Sequence, residues 1–325
     1  MSLSRRMPER RSGDSIPVAN GRAEIHVCLY ISNTCVFVNG ELCYSSRIAS
    51  RVNRALATER DRVLPPQLRE THVDLVRDNP LELLIRKIRT HHPLTVEDQK
   101  RILDLPFKVR TLEPQAYSIR EGDRPERCDV LLSGFAFRHK LTGDGSRQIM
   151  AIHIPGEALD FQNLFLEESD HNVQMLTRAV VAQIPRDALE KLVLENPNVG
   201  RAVLVFTLVE ASIFREWVLN IGRRDARSRI AHLLCEFAYR VNAQGLAPSG
   251  IYELPMTQEQ LADATGLTPV HVNRVLQALQ RDGLMERDRR IIRFVDWDAM
   301  REVGDFNARY LHAREFQGGG LIHLG

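Results

Sequence analysis

Residues 256–283 read MTQEQLADATGLTPVHVNRVLQALQRDG. The stretch predicts two short helices joined by a tight turn. Thr257 can cap the first helix, and Gln260 three residues on completes a capping box. Gly266 stands where the turn needs a backbone conformation that other residues resist. Thr268 caps a second helix, with Pro269 at its first position, where a missing amide proton costs nothing. Val272, Val275, Leu276 and Leu279 recur at helical spacing as a buried stripe, and Gly283 ends the helix. The outer face then carries Val270, His271, Asn273, Arg274, Gln277 and Arg281. This is the layout of a helix-turn-helix whose second helix enters the major groove of DNA. Arginine and asparagine match guanine and adenine edges bidentately. The expected DNA contacts are Thr257, Gln258, Thr268, Val270, His271, Asn273, Arg274 and Gln277. A hairpin that merely packs is the bland alternative; paired caps around a three-residue turn are more specific than one amphipathic helix.

The next residues, LMERDRRIIRFV from 284 to 295, read as a β-hairpin turning near 288–290. A basic hairpin after a recognition helix is a wing. Arg287, Arg289 and Arg290 are placed to meet phosphates and set the docking register without reading sequence. An ordinary charged hairpin tip is the competing reading for any one of them.

The rest of the chain must explain how this helix is paired and controlled. Its 325 residues allow two or three domains. The net charge of +2 is too small to argue for nucleic acid, so DNA binding must come from a local basic surface. No apolar run is long enough to span a bilayer and no secretory signal follows the basic first residues, which makes a cytoplasmic address the expectation. Five cysteines, an odd count without a CxxC pair, argue against a disulfide framework and a zinc site. No nucleophile–base set, metal cluster or phosphate-cradling loop supports catalysis, so no enzyme is expected.

Residues 1–72 lack a sustained period. They are expected to form a poorly ordered extension with a short hairpin at 23–44, or to reflect a start codon placed too early. Short helices follow in NPLELLIRKIRT and from Leu94. From Phe107 short strands alternate with turns, at 121–123, 142–145 and 155–156, and a late strand covers 175–184. Regular short strands with glycine turns predict a sandwich or small barrel. A long helix from Leu189 to Ile221, broken near Pro197, carries Val199, Ala202, Phe206, Val209, Ile213 and Trp217. That stripe predicts a dimer helix, which would set two recognition helices about one DNA turn apart. A further amphipathic helix spans residues 225–241.

This order resembles the Crp/Fnr family of bacterial transcription regulators over roughly residues 73–312. Ser133-Gly134-Phe135, Gly143-Asp144-Gly145, Ile154-Pro155-Gly156-Glu157 and the 257–283 block carry the resemblance. It implies an α+β chain. The parts would be a cyclic-nucleotide-binding-like β-barrel of cupin-like jelly-roll form (73–195), a dimerisation helix (196–224), a winged helix-turn-helix (225–312) and a tail (313–325). The implied partners are palindromic double-stranded DNA, a second copy, a small-molecule effector and, for an activator, RNA polymerase. A cyclic-nucleotide-sensing signalling subunit without a transcriptional role is the rival reading.

The departures sharpen the expectation. The Gly-Glu-Leu and Arg-Ser elements that the family uses for cyclic AMP fall on Asp160-Phe161-Gln162 and near Ser169-Asp170, which lack the required side chains. Without its arginine, and beside Asp170, a cyclic phosphate would lose a charge-assisted pair. Iron–sulfur relatives use a tighter cysteine group than Cys28, Cys35 and Cys43, and their barrel cysteine falls near Ala182, which leaves Cys128 as the one other candidate contributor. No iron–sulfur cluster or haem is therefore expected, and His153 and His171 are read as structural rather than ligating. In the recognition helix, Val270 replaces the family's usual glutamate and Pro269 an arginine, while Arg274 matches the arginine that reads guanine. A distinct operator follows.

Overall fold

The computed structural model describes the strands between residues 26 and 42, residues 79–247 and residues 251–313. Contacts divide the chain into two units, Met1–Pro65 and Pro66–Gly325. In the first, β1 (His26–Tyr30), β2 (Asn33–Val38) and β3 (Glu41–Leu42) pair antiparallel in that order, with Cys28 opposite Cys35. The hairpin expected at 23–44 is thus a three-stranded meander. The other residues of 1–72 lie outside those described, as does the tail beyond 313.

The second unit opens with α1 (Glu82–Arg89) and α2 (Val96–Leu103). Thr95 caps α2 in a capping box with Asp98. Two antiparallel sheets follow. One runs in the order β4 (Lys108–Leu112), β10 (Ala179–Pro185), β6 (Arg127–Ser133). The other runs in the order β5 (Tyr117–Ile119), β9 (Asn172–Met175), β7 (Ala136–Leu141), β8 (Arg147–His153). Ile119, Leu131, Val173, Met175 and Val181 fill the layer between them. The expected barrel is therefore two sheets facing each other across a core.

The single late strand expected over 175–184 is instead the end of β9, a turn and β10. The Thr177 hydroxyl accepts from the Phe135 amide, and Leu176 and Thr177 both donate backbone N–H groups to the Phe135 carbonyl. This draws the 176–178 turn onto Gly134, which has φ +80°. A Cβ there would lie 2.4 Å from the Arg178 carbonyl oxygen, so only glycine fits.

Next come α3 (Arg186–Glu195) and α4 (Pro197–Arg223), whose 27 residues extend about 40 Å. Asp225 caps α5 (Ala226–Ala243) through the Ser228 amide. The parts expected as separate domains share one hydrophobic core: Phe137, Ile149, Ile152 and Leu176 of the sensor sheet pack in one cluster with Leu234, Phe237 and Leu261. Arg147 of β8 pairs with Asp263 at 2.7 Å, and Gln148 donates to the Asp263 carbonyl.

The dimer stripe requires a correction. Val199, Ala202, Phe206, Val209 and Trp217 are buried within their own chain, and Ile213 is packed against the same interior. Their helical period is real, but it faces the sensor sheets and α5. The exposed apolar residues of α4 are Leu204, Leu208, Phe214, Val218 and Leu219.

Candidate nucleic-acid interface and sensor cavity

The reading head assembles as its capping signals require. In α6 (Gln258–Thr265), the Thr257 hydroxyl accepts from the Gln260 amide and the Gln260 side chain accepts from the Thr257 amide. Gly266 closes α6 at φ +65°. Thr268 accepts from the His271 amide and starts α7 (Pro269–Arg281). Val272, Val275, Leu276 and Leu279 are buried beneath it. Gly283, at φ +71°, follows its end.

The opposite face of α7 is open. Val270, His271, Arg274 and Gln277 are exposed, with Val270 at 63%. Arg274 has no hydrogen bond or ion pair among the described residues, which leaves its whole donor fork available to a guanine edge. Asn273 differs from the expectation. It is half-buried, and its side-chain oxygen accepts from the Gln258 amide at 3.1 Å. An adenine edge needs both the oxygen and the NH2 group of asparagine, so Gln258 holds half of that code. Thr257 and Thr268 are engaged as caps, while Gln258 acts on α7 itself.

The wing is β12 (Met285–Asp288) and β13 (Ile291–Phe294), with β11 (Ile251–Glu253) on the far side of β13. Arg289 and Arg290 are exposed at the tip, and Arg289 takes a left-handed φ of 52°. The Arg287 guanidinium donates to the Arg289 carbonyl, so it braces the tip rather than standing free.

The second site is a cavity of about 370 Å3 between β7, β8 and α4. Met150, Ile152, Phe206, Val209, Ile213 and Phe214 give it mainly apolar walls. A buried ion cluster closes part of it. Glu157 meets Lys87 at 2.7 Å and Arg240 at 2.9 Å. Burial alone would raise the Glu157 carboxyl, but Arg240 and Lys87 overcome it and hold it well below the usual range. Arg240 also donates to Glu236 and to the Ile152 carbonyl. Glu236 in turn receives the Trp217 indole at 3.0 Å and the Tyr310 hydroxyl at 2.8 Å. These contacts tie α1, the 154–157 turn, α4 and α5 together. Glu157 was visible in sequence as part of a turn motif; Lys87, Glu236 and Arg240 carried no signal because their partners lie far along the chain.

His153 and His171 are both buried, and burial pulls each imidazole down to about 4. His153 Nδ1 lies 3.4 Å from Glu157 and His171 Nδ1 2.8 Å from Asp170. Ser169 is buried and donates to the His171 carbonyl. Asp160 is buried, bonded to Asn163, and its carboxyl is pushed up to about 7 by burial. Burial raises the thiols of Cys128 and Cys235. Among the described residues no group of three or more His, Cys, Asp or Glu is placed to hold a metal ion. None of the described helices is long and apolar enough to cross a membrane.

A two-sheet sensor, a long helix and a winged helix-turn-helix with a free reading face define a DNA-binding transcription regulator rather than an enzyme. Comparison with known proteins agrees. The Crp-like helix-turn-helix domain matches residues 228–303, and the cyclic nucleotide-binding domain matches residues 109–196. The transcriptional activator protein FnrL of Cereibacter sphaeroides is 31% identical over 192 residues, which span 58% of this chain and 77% of FnrL. The nitrogen fixation regulation protein FixK of Rhizobium meliloti is 28% identical over 201 residues, 61% of this chain and 88% of FixK. The structure of FixK2 from Bradyrhizobium japonicum has the same fold, with a TM-score of 0.57 and 24% identity over 61% of this chain and 98% of that one. The chain belongs to the Crp/Fnr family of transcription regulators.

Proposed function

We propose that the chain acts in the cytoplasm as a homodimer that reads a palindromic operator and responds to a small molecule other than cyclic AMP. The observation that carries the dimer is the outer face of α4. Leu204, Leu208, Ala211, Arg215, Val218 and Gly222 follow one another at alternating spacings of four and three, the repeat of a two-helix seam. Leu204 and Leu208 are 58% and 57% exposed on a helix whose other face is fully packed. A second copy of α4 covers that row and brings two α7 helices to one side of the molecule, about 34 Å apart on DNA.

The cyclic AMP part rests on the residues where the phosphate would sit. Asp170 lines the cavity and pairs with His171, Ser169 donates to the His171 carbonyl, and Asp160 is buried and bonded to Asn163. Arg274 carries the reading of the operator, and the wing arginines hold phosphates. The names of relatives such as FnrL favour activation, which implies contact with RNA polymerase.

Light scattering on the purified chain tests the dimer. The expected mass is twice 37.1 kDa, falling to one chain in Leu208→Asp with loss of palindromic-site binding. A monomeric wild type that binds its operator at full affinity overturns the proposal. Tight cyclic AMP binding by calorimetry overturns its effector part.

A further inference from the structure

Val270, Arg274, Gln277 and Arg281 form one exposed row along α7, at spacings of four, three and four. The row lies opposite the buried Val272, Val275, Leu276 and Leu279, so it is the centre of the reading face. Three of its members carry hydrogen-bonding groups. Val270 carries only two methyls, yet it is 63% exposed at the second position of the helix, in the turn whose residues meet base edges. Its neighbours on the buried side belong to a hydrophobic cluster, and Val270 joins none of the clusters among the described residues.

A valine at this place asks for one kind of partner. Adenine, guanine and cytosine present donors and acceptors in the major groove, and an isopropyl group pressed on them leaves those groups unmet. The one apolar feature on a base edge there is the C5-methyl of thymine. Asn273, the nearest side chain able to serve an amino group beside Val270, has its oxygen held by the Gln258 amide at 3.1 Å. It therefore lends no acceptor to an adenine or a cytosine at that position.

We infer that Val270 reads a pyrimidine C5-methyl group beside the guanine that Arg274 reads. This rests on the reading of the chain as an operator-binding regulator and deepens it by naming the chemical group recognised. Side chains four apart on a helix have Cβ atoms about 5–6 Å apart, less than two base-pair steps of about 3.4 Å. The methylated pyrimidine thus falls within two base pairs of the guanine in each half-site. In unmodified DNA it is a thymine. The contact asks nothing of the group on the ring's fourth carbon, so 5-methylcytosine satisfies it as well, and cytosine methylation at that position strengthens binding.

The methyl can be removed from the DNA without touching the protein. The full-length protein first selects its operator from a random duplex library, and the guanine whose selection Arg274→Ala abolishes fixes the register. The expected operator has a thymine within two base pairs of that guanine. Replacing this thymine by deoxyuridine keeps every hydrogen-bonding group and deletes one methyl, which should weaken binding about fourfold per half-site. Placing cytosine and then 5-methylcytosine there should show a gain of similar size on methylation. Val270→Ser should bind thymine and uracil duplexes equally while keeping its melting temperature and its choice of guanine. Three results overturn the inference: no thymine selected in that window, no loss with uracil, or a loss that persists in Val270→Ser, which would place the effect in the DNA. Failure of the regulator reading looks different, because then no duplex is selected at all.

Discussion

The recognition helix and the sensor cavity both hold polar groups without protein partners, and they hold them under opposite conditions. On α7 the Arg274 fork is exposed, so water satisfies it until DNA arrives. Behind the cavity wall the Nε atoms of Arg138 and Arg240 and the Nε2 of His153 are buried, so leaving them unpaired is costly. The first arrangement keeps a reading surface available at little cost to the fold. The second leaves an unmet demand for acceptors inside the fold, at a cost to its stability. The contrast sets a surface whose polar groups water serves against an interior whose polar groups only the protein can serve.

The same substitution placed in each region should expose the difference. Gly134 and Gly266 both have positive φ, at +80° and +65°. An added Cβ at Gly134 meets the Arg178 carbonyl at 2.4 Å, whereas at Gly266 its nearest neighbour is Ile221 at 3.5 Å. Gly134→Ala should therefore cost roughly 2–5 kcal/mol, combining left-handed strain with backbone overlap. Chemical denaturation would measure it; a loss no larger than that of Gly266→Ala would show that the 176–178 turn yields.

Arg274→Ala should lose about 1–3 kcal/mol of operator affinity, removing discrimination at one base while the dimer and its melting temperature stay intact. Mobility shifts against cognate and scrambled duplexes read this directly, and equal losses on both would recast Arg274 as a phosphate contact. Gly266→Ala should cost about 1–2 kcal/mol from strain alone. Because the strain lies at the turn, operator binding should weaken in step with stability in thermal melts and binding isotherms.

The smallest effect separates two buried carboxyls of the sensor. Asp160 moves from 3.8 up to about 7, so the stability of its neutral form is complete below 3.8 and disappears as pH rises through 7. Glu157 lies well below its ordinary 4.5, so its contribution is present above 4.5 and is lost as pH falls further. Asp160→Asn should therefore flatten the decline in melting temperature between about pH 4 and pH 7. A wild-type profile that is already flat there would mean that Asp160 is ionised in the folded protein as well, held by a cation.

The reading head was legible in sequence because its determinants are local. A cap and its amide lie three residues apart in both helices, and the buried stripe of α7 repeats within thirteen residues. The capping box at Thr257 and Gln260, the left-handed Gly266 and the wing all follow the expected pattern. The cavity was not legible. Lys87, Glu157 and Arg240 are separated by 70 and 83 residues, and each looks like an ordinary surface charge until the fold brings them together. The stripe on α4 shows a third case. Its period announced a helix with a purpose, but helical spacing alone could not say which of two apolar faces turns inward. Leu204 and Leu208 were as apolar as Phe206 and Val209, and only the burial of the latter decides.

The bond between Gln258 and Asn273 bears on how much information the protein extracts from DNA. While that bond persists, Asn273 offers its NH2 group alone, and on the proposed reading base discrimination falls to Arg274 with Val270, His271 and Gln277 beside it. A face that withholds part of Asn273 asks less of each base pair, and near-matches to such an operator are more frequent in a genome. Selectivity in the cell then depends less on the fit to one sequence than on the ratio of operator to background binding, which twofold pairing multiplies and wing phosphates do not.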